Sequence, residues 1–308
     1  MAADSLPMKK HYILATRLPF SSASVLPAIL AAVWGWINRS ESFNFVASIL
    51  GVLGVLFVHL AANTINDYFD WDASDKINKF PTPFSGGSRW KLERVLKKES
   101  FLWLTIALIG LALLCAFILA IEGRTLVFAI GALGALCGFL YSIYPFSMQS
   151  RGIGEFLIFL AFGPLITFGM GYVCCDVLSP EFFVIGIPNG FVVANILWIN
   201  EFPDYEADLL SGKRNMVVRL GTSKARYGFA LLFGLFYLST FFLVWQGIFP
   251  VITCIVIIVL PLAIKAILIA WKNHSNPREI VPAQGQTIIF QSLSAILTII
   301  SLFVSKYI

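Results

Sequence analysis

Charge is scarce in this chain. Only 13% of its 308 residues are Asp, Glu, Lys or Arg, while 58% are hydrophobic. A typical soluble domain carries roughly 25% charged residues, so a soluble enzyme with a solvated surface is excluded. Histidine (three) and cysteine (five) are scarce too. Cys115, Cys137 and Cys254 stand inside apolar runs, and Cys174 and Cys175 are adjacent. None of these spacings suits a zinc site or a disulfide framework. No convincing small-residue cleavage site follows the apolar run after Arg17, so no signal peptide is read and the first span is expected to stay in the mature chain. The net charge of +5 comes from basic residues scattered among short loops, which argues against a nucleic-acid partner.

Long apolar runs are what the chain has in quantity. Nine can be placed, at about 18–37, 45–65, 101–120, 125–143, 153–173, 182–200, 227–245, 248–271 and 286–305. Each approaches the roughly 20 residues that cross a hydrocarbon core, and helices satisfy their own backbone there. The expected fold is all-α: one polytopic domain over 1–308, a bundle of nine transmembrane helices in the lipid bilayer. Only the QGIFP turn between spans seven and eight is short enough to suggest one broken span instead. Basic residues dominate every second loop, which places the N-terminus on the cytoplasmic side and the C-terminus outside. Two of the cytoplasmic segments, 66–100 and 201–226, are long enough to act as caps over a site. Within the first, PTPFSGGSR (81–89) is turn-rich. KLERVLKKES (91–100) has a helical pattern whose Lys91, Arg94, Lys97 and Lys98 suit interfacial anchors.

The scarce acids are concentrated. NTINDYFDWDASD (63–75) and NEFPDYEAD (200–208) each follow an apolar run, at the cytoplasmic ends of spans two and six. Residues three or four apart share a helix face, so Asn63, Asp67 and Asp70 line one side. Asp75 joins them only if the helix unwinds near Trp71–Ser74, and Asp72 points away. In the second stretch Asp204 and Asp208 share a face with Glu201, Asn200 supplies a further oxygen, and Glu206 points elsewhere. Pro203 predicts a break just before Asp204. Like charges gathered at membrane depth need cations. Oxygen-only ligands suit Mg²⁺, which keeps several waters and shares its shell with substrate phosphates. Lys76, Lys79, Arg89, Lys213 and Arg214 stand near enough in sequence to take the remaining diphosphate charge. His59 has no metal-ligand partner by spacing and reads as a hydrogen-bonding core residue.

These residues resemble the UbiA superfamily of intramembrane aromatic prenyltransferases, with its nine helices and two Asp-rich motifs. Asn66, Asp67 and Asp70 match the first motif, Asn-Asp-x-x-Asp-x-x-x-Asp, whose last position holds Ser74 with Asp75 one residue late. Asp204 and Asp208 match the second. NEFPDYEADLLSGKRNMVVRLG (200–221) is similar to the branch that prenylates 1,4-dihydroxy-2-naphthoate in menaquinone synthesis, through Asn200, Asp204, Asp208, Gly212, Lys213, Leu220 and Gly221. Pro203 stands where that branch commonly has Arg. RGIGEFLIFLAFGP (151–164) and TRLPFSSASVLPAILA (16–31) add Arg151, Glu155 and Arg17.

The resemblance implies Mg²⁺ bridged by the two motifs through Asn63, Asn66, Asp67, Asp70, Asp75, Asn200, Asp204 and Asp208, with Asp67, Asp70, Asp204 and Asp208 central to catalysis. It adds Arg17 and Arg151 to the diphosphate-binding set. Arg151 and Glu155 are read either as a helix-start i,i+4 pair or as substrate contacts. Tyr141 and Tyr144 are read as interfacial aromatics or as walls of a prenyl or acceptor pocket. The implied reaction transfers a polyprenyl group from an isoprenyl diphosphate to an aromatic acceptor, with no obligate protein partner. Other acceptors in the superfamily (4-hydroxybenzoate, homogentisate, haem, chlorophyllide, a glycerol phosphate ether) are alternatives. A cation-coupled transporter is the alternative from another class, and it would want its acids mid-span.

Overall fold

A computed structural model describes residues 7–143 and 145–308, with the side chains of Trp90 and Lys91 outside the description. Among these residues all regular structure is helical. The order is α1 (Met8–Ala15), α2 (Ser22–Asn38), α3 (Phe45–Asp70), α4 (Ser74–Ile77), α5 (Arg89–Leu92), α6 (Lys98–Ile121), α7 (Val127–Ser142) and α8 (Gly154–Leu160). It continues with α9 (Ile166–Cys175), α10 (Pro180–Val184), α11 (Ile187–Leu210), α12 (Met216–Leu220), α13 (Thr222–Trp245), α14 (Leu260–Asn273) and α15 (Val281–Ser305).

Eight helical stretches among the described residues are long and apolar enough to cross a bilayer. The run expected at 125–143 forms α7, which has only 16 residues. At 1.5 Å per residue that is about 24 Å, short of a hydrocarbon core of about 30 Å. Spans seven and eight are separate: α13 ends at Trp245, Gly247 turns the chain at φ 72°, and a 3₁₀ run, Val251–Val259, leads into α14.

Two expectations fail for physical reasons. Pro203 does not break α11, which runs through it. Pro203 and its neighbours Glu201 and Phe202 are buried, and surrounding helices hold the segment in place, as membrane bundles commonly do around proline. Residues 91–100 do not form one interfacial helix. α5 stops at Leu92 and α6 starts at Lys98, because Leu92 and Leu96 turn inward to pack with Trp71, Phe101 and Ala15.

Two apolar clusters hold the bundle. Phe229, Phe233 and Phe236 of α13 meet Phe290 of α15 and Val192, Trp198 and Ile199 of α11. Trp34 of α2 packs on Phe182 of α10 beside Met170 and Cys174 of α9. Where α8 passes into α9, a π-helical segment at Ala161–Leu165 crosses α11. A Cβ on Gly163 there would meet the Gly186 and Gly190 backbones at 2.5–2.7 Å, so only glycine permits the crossing. α7 is different. Of its residues only Cys137 and Ser142 are buried, so one side of the bundle is loosely closed.

Candidate active site

The site begins where α3 ends. The helix unwinds over Trp71–Ala73 because Trp71 is drawn into the cluster with Phe101 and Leu92, under the Arg89 guanidinium, which lies 5.4 Å from the ring centroid and donates to the Trp71 carbonyl. That break lets α4 carry Asp75 back toward Asp70, while Asp72 stays outside, paired with Lys98 at 2.7 Å. Asp67 is fully buried and ion-paired with Arg17, and it also accepts hydrogen bonds from the Ser88 hydroxyl and amide. Arg17 reaches it from a left-handed backbone conformation (φ 53°), sparsely populated by non-glycine residues. The amide of Asn63 fixes that turn by donating to the Thr16 carbonyl at 3.0 Å.

The second cluster is held by the segment 78–88. Asp204 accepts from Asn78 Nδ2 at 2.8 Å, Ser85 Oγ at 3.3 Å and the Gly86 amide at 3.1 Å. Gly87, at φ 67°, lies where any Cβ would overlap the Asp75 carboxylate. Asn200 donates to the Phe84 carbonyl and accepts from Gln284. The turn-rich PTPFSGGSR stretch is therefore folded directly onto the acids.

One cation joins the two motifs. Lys213 Nζ lies 3.0 Å from Asp70 Oδ2 and 3.7 Å from Asp208 Oδ1. Burial opposes the ammonium, but Asp70 and Asp208 outweigh it and hold its pKa above the ordinary lysine value. Burial, then the charges of Asp67 and Asp70, push the Asp75 carboxyl up to about 8.

These groups surround a polar pocket of about 130 Å³. Beside it lies an apolar cavity of about 730 Å³, walled mainly by α3, α6, α7, α8 and α9. Arg17, Asn66, Phe84, Tyr141, Leu197 and Asn200 line both, so the pocket opens onto the cavity. A charged head group at the pocket thus adjoins room for a long apolar chain.

The structure sorts the expected residues. Asn66, Asp70, Asp75, Asn200, Asp204, Asp208, Arg17, Lys213 and Tyr141 line the pocket. Asp67 stands behind Arg17 rather than on the surface of the pocket. Asn63 lines only the apolar cavity, one turn deeper than Asn66. Lys76, Lys79, Arg151 and Arg214 are exposed, away from the pocket lining, and Arg89 is engaged with Trp71, Asp72 and Glu93. Arg151 and Glu155 make no i,i+4 pair: Arg151 donates to the Pro145 carbonyl, and buried Glu155 accepts from the Met216 amide at 2.7 Å. Tyr144 lies outside the described residues. Sequence reasoning missed Asn78, Ser85, Ser88, Gln149 and Asn215. Asn78 and Ser85 hold Asp204, Ser88 holds Asp67, and Asn215 donates to Asp208 at 2.9 Å. Their only signal was the polarity of turns, which for all but Gln149 follow the motifs in sequence.

Most carboxylate oxygens here have protein donors. Asp75 Oδ2 and Glu201 Oε2 are buried at the pocket without a hydrogen-bond partner. Among the described residues no three His, Cys, Asp or Glu side chains are grouped tightly enough to hold a bare ion. An all-oxygen set with partnerless carboxylate oxygens fits a hard divalent cation that keeps waters and shares its shell with phosphate.

Comparison with known proteins gives the same direction. The model of the UbiA prenyltransferase family matches residues 24–303. The 1,4-dihydroxy-2-naphthoate octaprenyltransferase of Escherichia coli (strain K12) is 24% identical over 301 residues, covering 94% of this chain and 93% of its own. The digeranylgeranylglyceryl phosphate synthase of Methanosphaera stadtmanae is 27% identical over 212 residues, 68% of this chain and 71% of its own. A UbiA homolog from Archaeoglobus fulgidus, solved bound to DMAPP and Mg²⁺, superposes with a TM-score of 0.62 at 19% identity, covering 95% of this chain and 99% of that one.

Proposed function

The chain belongs to the UbiA prenyltransferase family, and from that premise we propose that it transfers a polyprenyl group from an isoprenyl diphosphate to an aromatic acceptor, with 1,4-dihydroxy-2-naphthoate the first candidate. One observation carries the reading: two acidic motifs joined by Lys213 at the mouth of a large apolar cavity. The relatives' names support prenyl transfer and divide over the acceptor, naphthoate in one and a glyceryl phosphate in another.

Asp70, Asp75, Asp204 and Asp208, with the amide oxygens of Asn66 and Asn200, would hold Mg²⁺. When bound, the ion supplies positive charge that stabilises the departing diphosphate. Lys213 and Arg17 add fixed positive charge at the same end. Asp67 orients Arg17, and Ser88 and Gly87 keep the 78–88 segment seated on the acids. Prenyl C1 then lies at the junction lined by Phe84 and Tyr141, and the apolar walls exclude water while positive charge develops on that carbon. The tail extends between α3, α6 and α7, and the loosely packed α7 is where it enters from lipid. In this reading α7 is a ninth, short crossing, the protein acts as a single domain, the N-terminus and both motifs face the cytoplasm under the 66–100 and 201–226 segments, and the product feeds menaquinone synthesis. The acids stand at helix ends rather than mid-span, so no feature favours a transporter.

The test is transfer in nanodiscs with geranylgeranyl diphosphate, Mg²⁺ and a panel that includes 1,4-dihydroxy-2-naphthoate and 4-hydroxybenzoate. Prenylated naphthoate is the expected product. Turnover with another acceptor alone would replace the acceptor assignment, and no diphosphate release from folded protein would remove the reading.

A further inference from the structure

The two long walls of the apolar cavity differ. On α6 and α7, from Ile109 to Gly138, every lining residue is apolar or cysteine. On the facing wall, α2 and α3 present Ser24, His59 and Asn63. An isoprenoid tail has nothing to offer those polar groups, and polar side chains at membrane depth are costly unless used.

Their hydrogen bonds bear on what they offer. Ser24 has one hydroxyl proton, and its Oγ lies 3.1 Å from the Ser21 carbonyl, which can only accept. We assign the Ser24 proton to that carbonyl, so that His59 Nδ1, 2.7 Å from the same Oγ, donates in that pair. A neutral imidazole protonated on Nδ1 carries a lone pair on Nε2. Nε2 has no protein partner among the described residues, and the ring borders the cavity edge-on to Phe162, at 5.0 Å between centroids. Asn63 is fixed in the same way. Its Nδ2 donates to the Thr16 carbonyl at 3.0 Å, so Oδ1 is the atom this cavity-lining side chain has left to accept with. His59 and Asn63 are four residues apart, on one helix face. The cavity wall therefore presents two bare acceptors about one turn apart, beginning one turn below Asn66 at the junction. Packing between α2 and α3 explains the Ser24–His59 bond but leaves both acceptors unused.

We propose that His59 Nε2 and Asn63 Oδ1 form the acceptor subsite, receiving hydrogen bonds from the hydroxyl groups of an aromatic ring whose reacting carbon lies at the junction. This rests on the prenyl-transfer reading above. The flat apolar body of such a ring suits Phe162, and its O–H groups supply the donors that the wall lacks. A tail or a fully etherified ring satisfies neither atom. These are positioning residues for the acceptor, separate from the groups that hold the diphosphate.

The experiment measures KM for acceptor and donor separately in nanodiscs with Mg²⁺, geranylgeranyl diphosphate and 1,4-dihydroxy-2-naphthoate, or 4-hydroxybenzoate where wild type uses that instead. Asn at position 59 mimics Nδ1 and keeps the Ser24 contact, whereas Gln reaches the place of Nε2. His59→Asn is expected to raise the acceptor KM about tenfold, the loss of one hydrogen bond in a water-poor site. His59→Gln should stay within about threefold, and the donor KM within about twofold in both. Should His59→Asn not fold, Ser24→Ala, which frees the ring without removing it, is expected to raise the acceptor KM about threefold. An unchanged acceptor KM in His59→Asn, or donor and acceptor KM rising in parallel, would overturn the proposal. Wild type that transfers to no acceptor would overturn the parent reading instead, and this one with it.

Discussion

The polar pocket and the apolar cavity share six lining residues and are built on opposite plans. At and behind the pocket most carboxylates are fixed by named donors: Asp67 by Arg17 and Ser88, Asp204 by Asn78, Ser85 and Gly86, Asp70 and Asp208 by Lys213, while Asp75 and Glu201 each keep one oxygen without a partner. In the cavity one wall is α7, where Gly131 and Gly134 have nothing within 4 Å of a Cβ position. Charge at membrane depth is costly unless it is partnered, so most of the pocket's geometry is fixed. Apolar surface is satisfied by lipid or ligand alike, so the cavity can stay loose. Fixed geometry sits where the charge is, and adaptable volume where the walls are apolar.

That contrast breaks most visibly at the acids. Asp70→Asn and Asp204→Asn are expected to lower kcat/KM for prenyl transfer by about a thousandfold, the scale on which charge-stabilising groups act, while a thermal melt in detergent shows the fold retained. Chelation of divalent cations should abolish turnover in wild type, and Mg²⁺ should restore it. Lys213→Ala removes the bridge between the motifs. A loss of about a hundredfold is expected in the same assay, with the larger share in KM for the diphosphate.

The cavity should answer differently. Gly134→Phe puts a ring into the tail space without touching an acid, and the open room around Gly134 lets it fold. KM for geranylgeranyl diphosphate should rise about tenfold, the scale of steric overpacking, with dimethylallyl diphosphate unaffected. Equal losses for both donors would show that the tail does not run along α7. The smallest effect belongs to exposed bases outside the pocket: Lys76→Ala and Lys79→Ala should change kcat/KM by less than about twofold.

Much of this was legible beforehand because membrane helices advertise themselves. Apolar runs and the clustering of scarce acids located the bundle, both motifs and Lys213. What was illegible depended on side-chain direction. Lys76, Lys79 and Arg214 are about as close in sequence to the acids as Lys213, yet they turn outward, as does Arg151, which only the resemblance had nominated, since nothing in one dimension says which face of a loop is buried. Asn63 shares a helix face with Asp67, but it lies one turn too deep to reach the pocket. Pro203 carries a strong local rule against helix continuation, and burial within the bundle overrode it. Asn78, Ser85 and Ser88 look like ordinary turn residues until the 78–88 segment is folded onto Asp204 and Asp67.

The central claim is that the pocket holds a cation-bound diphosphate head while the cavity holds its tail. Calorimetric titration of geranylgeranyl thiolodiphosphate, which resists cleavage, into nanodisc-embedded protein tests it most directly. Binding is expected only with Mg²⁺ present, abolished in Asp204→Asn and weakened about tenfold in Gly134→Phe. Equal affinity in chelator, or in both variants, would contradict it.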